Sequence, residues 1–135
     1  MPIDITLDHE HRLLRATWHG RITAPDLAEH WARLFTEEAL ALGRSLVDLR
    51  RADLAFTGME LSAVLQSVVA PQLTGRRWAA ALLVATPTQY GQARQFEAYA
   101  EEVSRTQIFH DEAAALAWLL AQPLPGQGPG GGGRA

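Results

Sequence analysis

The sequence predicts an α/β fold: a β-hairpin followed by three helix–strand units and a last helix, (αβ)3α, around an about five-stranded, mostly parallel sheet with an antiparallel first strand. Three observations lead there. The N-terminal stretch alternates apolar and polar residues with period two. Three later apolar runs of strand length are each preceded by a segment of helical period. The links between them are short, and alternation on short links requires parallel strands joined by right-handed crossovers.

Ile3, Ile5 and Leu7 alternate with Asp4, Thr6 and Asp8, and Leu14, Ala16 and Trp18 alternate with Arg15, Thr17 and His19, so the two strands form a hairpin turning at His9-Glu10-His11. Gly20 closes it. Thr23-Ala24-Pro25-Asp26 supplies an N-cap, a first-turn proline and an acid at the third helical position. The first helix carries Leu27, Trp31, Leu34 and Phe35 as its core stripe and stops at Gly43, before a strand over Ser45 to Leu49. Arg50, Arg51 and Asp53 are expected in a charged loop. Thr57 with Glu60 opens the second helix, whose Leu61, Val64, Leu65, Val68 and Val69 share one face and which Pro71 ends. Trp78 to Ala85 is almost continuously apolar, the pattern of a central strand buried on both faces. Thr86-Pro87-Thr88-Gln89 repeats the capping signature and starts a third helix with Tyr90, Ala93, Phe96, Ala100 and Val103. Thr106 to Phe109 makes a last strand, and Asp111 caps a fourth helix with Ala113, Leu116, Ala117 and Leu120 as its expected inner face. Handed crossovers between neighbouring strands put successive helices on one sheet face, leaving the other thinly covered.

A single domain is expected over residues 1–122, with 47% hydrophobic residues to build its core, and the Pro/Gly-rich 123–135 is expected to be a disordered tail. Cysteine is absent, which excludes disulfides, thiolate catalysis and Cys-ligated zinc. All twelve basic residues are arginine, so lysine chemistry is excluded as well. A net charge of −3 without a basic stripe argues against nucleic acid, and only Arg50-Arg51 and Arg76-Arg77 are local basic pairs. The N-terminus has no signal-like segment and no run suits a membrane span, so a cytoplasmic protein is expected.

The hairpin ending in Trp18-His19-Gly20, the strand SLVDLR, the helix start TGMEL, the stretch YGQARQFEAYAEE and the terminal IFHDEAAALAWLL, in that order over residues 3 to 120, resemble the SpoIIAA-like branch of STAS domains, also described as STAS/SEC14-like or CRAL-TRIO-like. The resemblance implies a β/α superhelix of about four turns. In anti-sigma-factor antagonists of this fold, a Ser at a helix start within Asp-Ser-Ser-Gly-Leu is a phosphorylation switch. Thr57 of Ala55-Phe56-Thr57-Gly58-Met59 falls at that position and keeps a hydroxyl, while Ala55 and Phe56 replace the polar residues before it. Thr57 is thus a phosphoswitch or simply an N-cap.

Strand ends and helix starts of a parallel fold share one edge, so Asp48, Arg50, Arg51, Thr57, Gly58, Thr86 and Tyr90 are the expected partner- or anion-binding residues. His19, Asp48 and His110 reach the same edge and are the one catalytic group to consider, although a nucleophile is lacking. His9 and His11 could face a metal but lack an evident third ligand, so no metal and no cofactor is expected. Trp18, Trp31, Trp78 and Trp118 suit either the core or an apolar ligand pocket; Leu13, Trp118 and Leu119 lie off the main stripes and could mark a partner surface. The expected function is a non-catalytic STAS-like module that docks a protein partner, or itself as a homodimer, around Arg50 to Met59 and the second helix. The alternative is a carrier of a lipid-like or anionic small molecule held between sheet and helices, and an enzyme is the third reading.

Overall fold

The computed structural model describes residues 2–125. Its five strands, β1 (Ile3–Asp8), β2 (Leu13–Ile22), β3 (Arg44–Leu54), β4 (Ala79–Leu83) and β5 (Arg105–Phe109), lie in the order β1-β2-β3-β4-β5. Only the β1/β2 pair is antiparallel, with Ile5 opposite Ala16; the other pairs are parallel. The helices are α1 (Ala24–Leu34), α2 (Glu37–Leu42), α3 (Gly58–Val64) running through a π-helical turn (Leu65–Val69) into α4 (Ala70–Leu73), α5 (Pro87–Tyr99) and α6 (Glu112–Leu120). The predicted architecture and strand directions are those observed.

The predicted caps form. Thr23 with Asp26, Thr57 with Glu60 and Thr86 with Gln89 each close a reciprocal capping box, and Asp111 accepts from the Ala114 N–H. The first helix is broken in two at Phe35, because Thr36 starts a fresh helix by accepting from the Ala39 N–H at 3.1 Å. Gly43 ends α2 at φ 65°, where a Cβ would lie 2.9 Å from the Arg77 carbonyl oxygen. Pro71 does not end the second helix. The Ala70 N–H reaches back five residues to Leu65 O, and the widened turn accommodates a proline that lacks a donor and would crowd the carbonyl four residues before it.

β3 departs most from expectation. It runs on to Leu54, so Arg50, Arg51 and Asp53 belong to a strand paired with β2 and not to a loop. Thr17 pairs with Asp48 but His19 with Arg51, so Leu49 and Arg50 together oppose Trp18 in a β-bulge. The bulge resets the inward alternation, so that Leu49, then Ala52 and Leu54, face the main core.

That core joins Leu14, Ala16, Trp18, Ala80 and Leu82 of the sheet to Leu27 and Trp31 of α1, and to Leu61, Leu65, Val69 and Leu73 of the second helix. Trp18, Trp31 and Trp78 are core residues, with Phe35 edge-on to Trp78 at 5.1 Å. Among the described residues, only α6 covers the opposite face. There Leu13, Leu46, Ala79, Ala81, Ala115 and Leu119 form a second cluster, flanked by Trp118 and Phe109. Leu13, Trp118 and Leu119 are therefore an internal contact rather than a partner surface. The inner face of α6 is Ala115 and Leu119, with the expected Leu116 packed beside them, whereas Ala113, Ala117 and Leu120 are exposed; a helix apolar on all sides gave its period no face to mark.

Candidate functional site

A chain of charges crosses the sheet face beside α6, from the end of β1 and the start of β2 to the middle of β3. Asp48 accepts two bonds from the Arg50 guanidinium and one from its backbone N–H, all at 3.0 Å, and Arg50 also reaches Glu112 at 3.3 Å. Partial burial pushes the Asp48 carboxyl up, but these bonds outweigh it and hold the group below its ordinary value. Glu112 lies 3.4 Å from Arg15, which binds Asp8 at 2.9 Å. Asp8 is held well below the carboxylate range by the His11 backbone N–H, then by the His11 ring and Arg15. Arg51 stands opposite His19, whose Nε2 lies 3.1 Å from Asp4.

Beyond Asp48 and Leu83 the β3/β4 ladder stops, and α5 takes over the free edge of β3. Gln89, 6% exposed, donates to the carbonyls of Ala52 (3.0 Å) and Arg50 (3.3 Å), and its Oε1 accepts from the N–H groups of Ala85 (2.7 Å) and Thr86 (3.2 Å). Gln92 donates to Leu54 O at 2.8 Å. Two glutamine amides thus replace a neighbouring strand. The Gln89 Oε1 also occupies the Ala85 and Thr86 N–H donors that would otherwise face an anion just before α5.

The expected site residues fall into two groups. Asp48, Arg50, Arg51, Thr86 and Tyr90 surround the ends of β3 and β4, where Tyr90 stacks on His110 at 5.9 Å. Thr57 and Gly58 lie farther out: a Cβ on Gly58 would sit 3.1 Å from Gln95 Nε2 and 3.3 Å from Tyr99 Oη. Those residues are eight and twelve places along α5 from Pro87, roughly 12 to 18 Å of helix. The two helix starts therefore do not converge on one ligand. Thr57 is exposed, and its Oγ1 accepts from the Glu60 N–H at 3.0 Å. His19, Asp48 and His110 are not assembled: each is engaged by a different partner, and two strand spacings of about 4.8 Å separate β3 from β5.

Asp8, Glu10 and His11 bring their ligand atoms within 4.8 Å of one another, but the Arg15 guanidinium on Asp8 already supplies the positive charge there. Between the main sheet face and the helices lies an apolar cavity of about 60 Å³ lined by Trp18, His30, Trp31, Phe35 and Phe96 among others. Burial depresses the His30 imidazole to about 4, so it is neutral at physiological pH. The Trp18 indole N–H has no acceptor among the described residues. No described helix is long and apolar enough to cross a membrane.

The second helix, expected to take part in docking, has a charge-poor outer face that its apolar stripe alone did not single out. From Gly58 to Leu73 the one charged residue is Glu60. Met59 is 84% exposed, and Ala63, Gln66, Ser67 and Pro71 are exposed with it. The signal was legible as a helix with an apolar stripe but no charge opposite it.

This arrangement, one hairpin and parallel β/α units wound around a single sheet, defines a SpoIIAA-like fold. Among solved structures, the chain is similar to an uncharacterised protein of the DUF3478 family from Shewanella loihica PV-4, described as having a SpoIIAA-like fold; the TM-score is 0.59 and the identity 21%, over 87% of this chain and 91% of that one. No family model matches the sequence, and no curated protein does.

Proposed function

We propose that the protein is a non-catalytic STAS-like regulatory module that docks a protein partner, or a second copy of itself, through the outer face of the second helix and the adjoining segment from Arg50 to Met59. The observation that carries this reading is the charge-poor, Met59-bearing helix face, on which Glu60 is the one charge. Depletion of charge with exposed methionine marks the centre of protein interfaces, and a charged rim suits it. In this reading Gly58 lies in that rim, while Asp48 and Arg50, the latter reaching Glu112 of α6, form a separate charged patch that Arg51, Thr86 and Tyr90 adjoin. Thr57 is the switch in this reading: a phosphate there would add negative charge directly beside Glu60, which already caps the helix. Native mass spectrometry and quantitative pull-down of wild type, Ala63→Glu and Thr57→Glu provide the test. A stoichiometric complex lost in Ala63→Glu is expected, with Thr57→Glu altering its amount; a complex indifferent to Ala63→Glu removes the docking face.

The apolar cavity favours a second reading, a carrier. At about 60 Å³ it is smaller than the several hundred Å³ of typical ligand pockets, so a lipid-like ligand would require the second helix to move outward. A lipid-sized adduct on protein purified without added ligand would support this reading, and a bare mass counts against it.

A further inference from the structure

A roomy concavity lies at the opposite edge of the sheet, where β4 and β5 begin. Its volume is about 790 Å³, over ten times that of the apolar cavity and within the range of small-molecule sites. We propose that this cleft binds a singly charged organic carboxylate with an apolar body. The proposal is independent of the docking face on the second helix.

Three arginines from two separate segments line it. Arg76 and Arg77 follow Gly75, which turns the chain at φ 80°. Arg105 opens β5; its N–H donates to Trp78 O at 2.9 Å, and it pairs with Ala79 across strands about 4.8 Å apart. Among the described residues none of the three has a carboxylate within 4.0 Å, whereas Arg15, Arg33, Arg50 and Arg94 all do. Arg105 Nη1 donates to Gln122 Oε1 at 3.3 Å, and Gln122 is in turn anchored through its Nε2 to Trp118 O at 3.1 Å. That neutral contact positions the guanidinium without neutralising it, leaving further N–H donors for a bidentate carboxylate.

Leu40, Trp78 and Val103 give the cleft an apolar wall, and Trp78 is itself wedged against Phe35. Glu101 and Glu102 stand on the same rim. They would repel a multiply charged anion, which selects a monoanion over inorganic phosphate or a polyphosphate. The C-terminal strand edge, the usual place for a ligand in a parallel sheet, is bolted by Gln89 and Gln92, while this edge is open.

The test is titration of 15N-labelled protein with 2-naphthoate in 50 mM salt, with 2-naphthalenemethanol and inorganic phosphate as parallel probes. Naphthoate is expected to shift the amides of Arg76, Arg77 and Arg105 and the Trp78 indole signal, binding at least tenfold more tightly than either other probe. Among the described residues the side chains of Arg76, Arg77 and Arg105 make no hydrogen bond or ion pair other than that of Arg105 to Gln122, so the triple Arg→Gln variant should keep its spectral dispersion and bind naphthoate at least tenfold more weakly. Glu101→Gln with Glu102→Gln should bring phosphate affinity toward that of naphthoate. Equal binding of the alcohol, unchanged binding by the folded triple variant, shifts spread equally over Arg12, Arg21 and Arg51, or no saturation by 10 mM naphthoate would each overturn the proposal.

Discussion

His30 sits in the wall between the apolar cavity and a shallow groove beside β1 that Asp26, Glu29 and Arg33 also line. Its imidazole titrates near 4 in the fold against 6.5 when exposed. The unfolded chain therefore binds the extra proton first, and stability is complete above pH 6.5 and falls as the pH drops toward 4. The loss approaches roughly 3 kcal/mol, at about 1.4 kcal/mol per pKa unit. Urea unfolding between pH 7 and pH 4 should show this slope, and His30→Leu should flatten it; an unchanged slope would place the acid sensitivity elsewhere. Arg44, 5% exposed, is the other residue without a sequence signal. Its guanidinium donates to the carbonyls of His11 (2.7 Å), Arg12 (3.1 Å), Leu119 and Gln122 (3.2 Å each), tying the hairpin turn to the end of α6. Arg44→Met should cost about 2–4 kcal/mol in urea unfolding, because the carbonyls lose their donor where water cannot fully replace it. No local rule marks Arg44: its acceptors lie more than thirty residues away in both directions along the chain.

Among the elements, α5 offers the sharpest contrast between pattern and surroundings. Gly91 one turn into it reads as a close-packing position, yet a Cβ there would meet nothing within 4 Å. Gly91→Ala should therefore raise stability by about 0.5–1 kcal/mol, the ordinary glycine penalty inside a helix, measurable as a higher urea midpoint with an unchanged slope. A destabilised variant would show that the glycine has a packing role after all. Capping boxes were readable because donor and acceptor lie three residues apart, and all three form. The length of β3 was not readable. Arg50, Arg51 and Asp53 look like a loop, and only the β2 ladder on one side with Gln89 and Gln92 on the other make them a strand.

At the scale of the whole molecule, β4 is buried on both faces, by the second helix side on one and by α6 on the other, while β1 and β5 are sheet edges. Amides of β3 and β4 should exchange with solvent most slowly, at rates set by global unfolding, and those of β1 and β5 faster. Hydrogen exchange with equal protection across all five strands would mean that the sheet opens only as a unit. The fold separates its surfaces: a helix face with Glu60 as its one charge on the main-core side of the sheet, the β3 charges on the α6 side, and an open arginine-bearing cleft at the edge where β4 and β5 begin.

Strand order, strand direction and the starts of α1, α3, α5 and α6 were determined by the sequence itself, because alternation, caps and handed crossovers act over a few residues or follow from connection length alone. The tertiary structure alone decided that β3 bulges to set Arg50 and Arg51 side by side, that α6 closes the second face through Ala115 and Leu119, and that Arg105 comes beside the Arg76-Arg77 turn. Those outcomes depend on which backbone groups find partners across tens of residues, and no periodicity within a single segment encodes that choice.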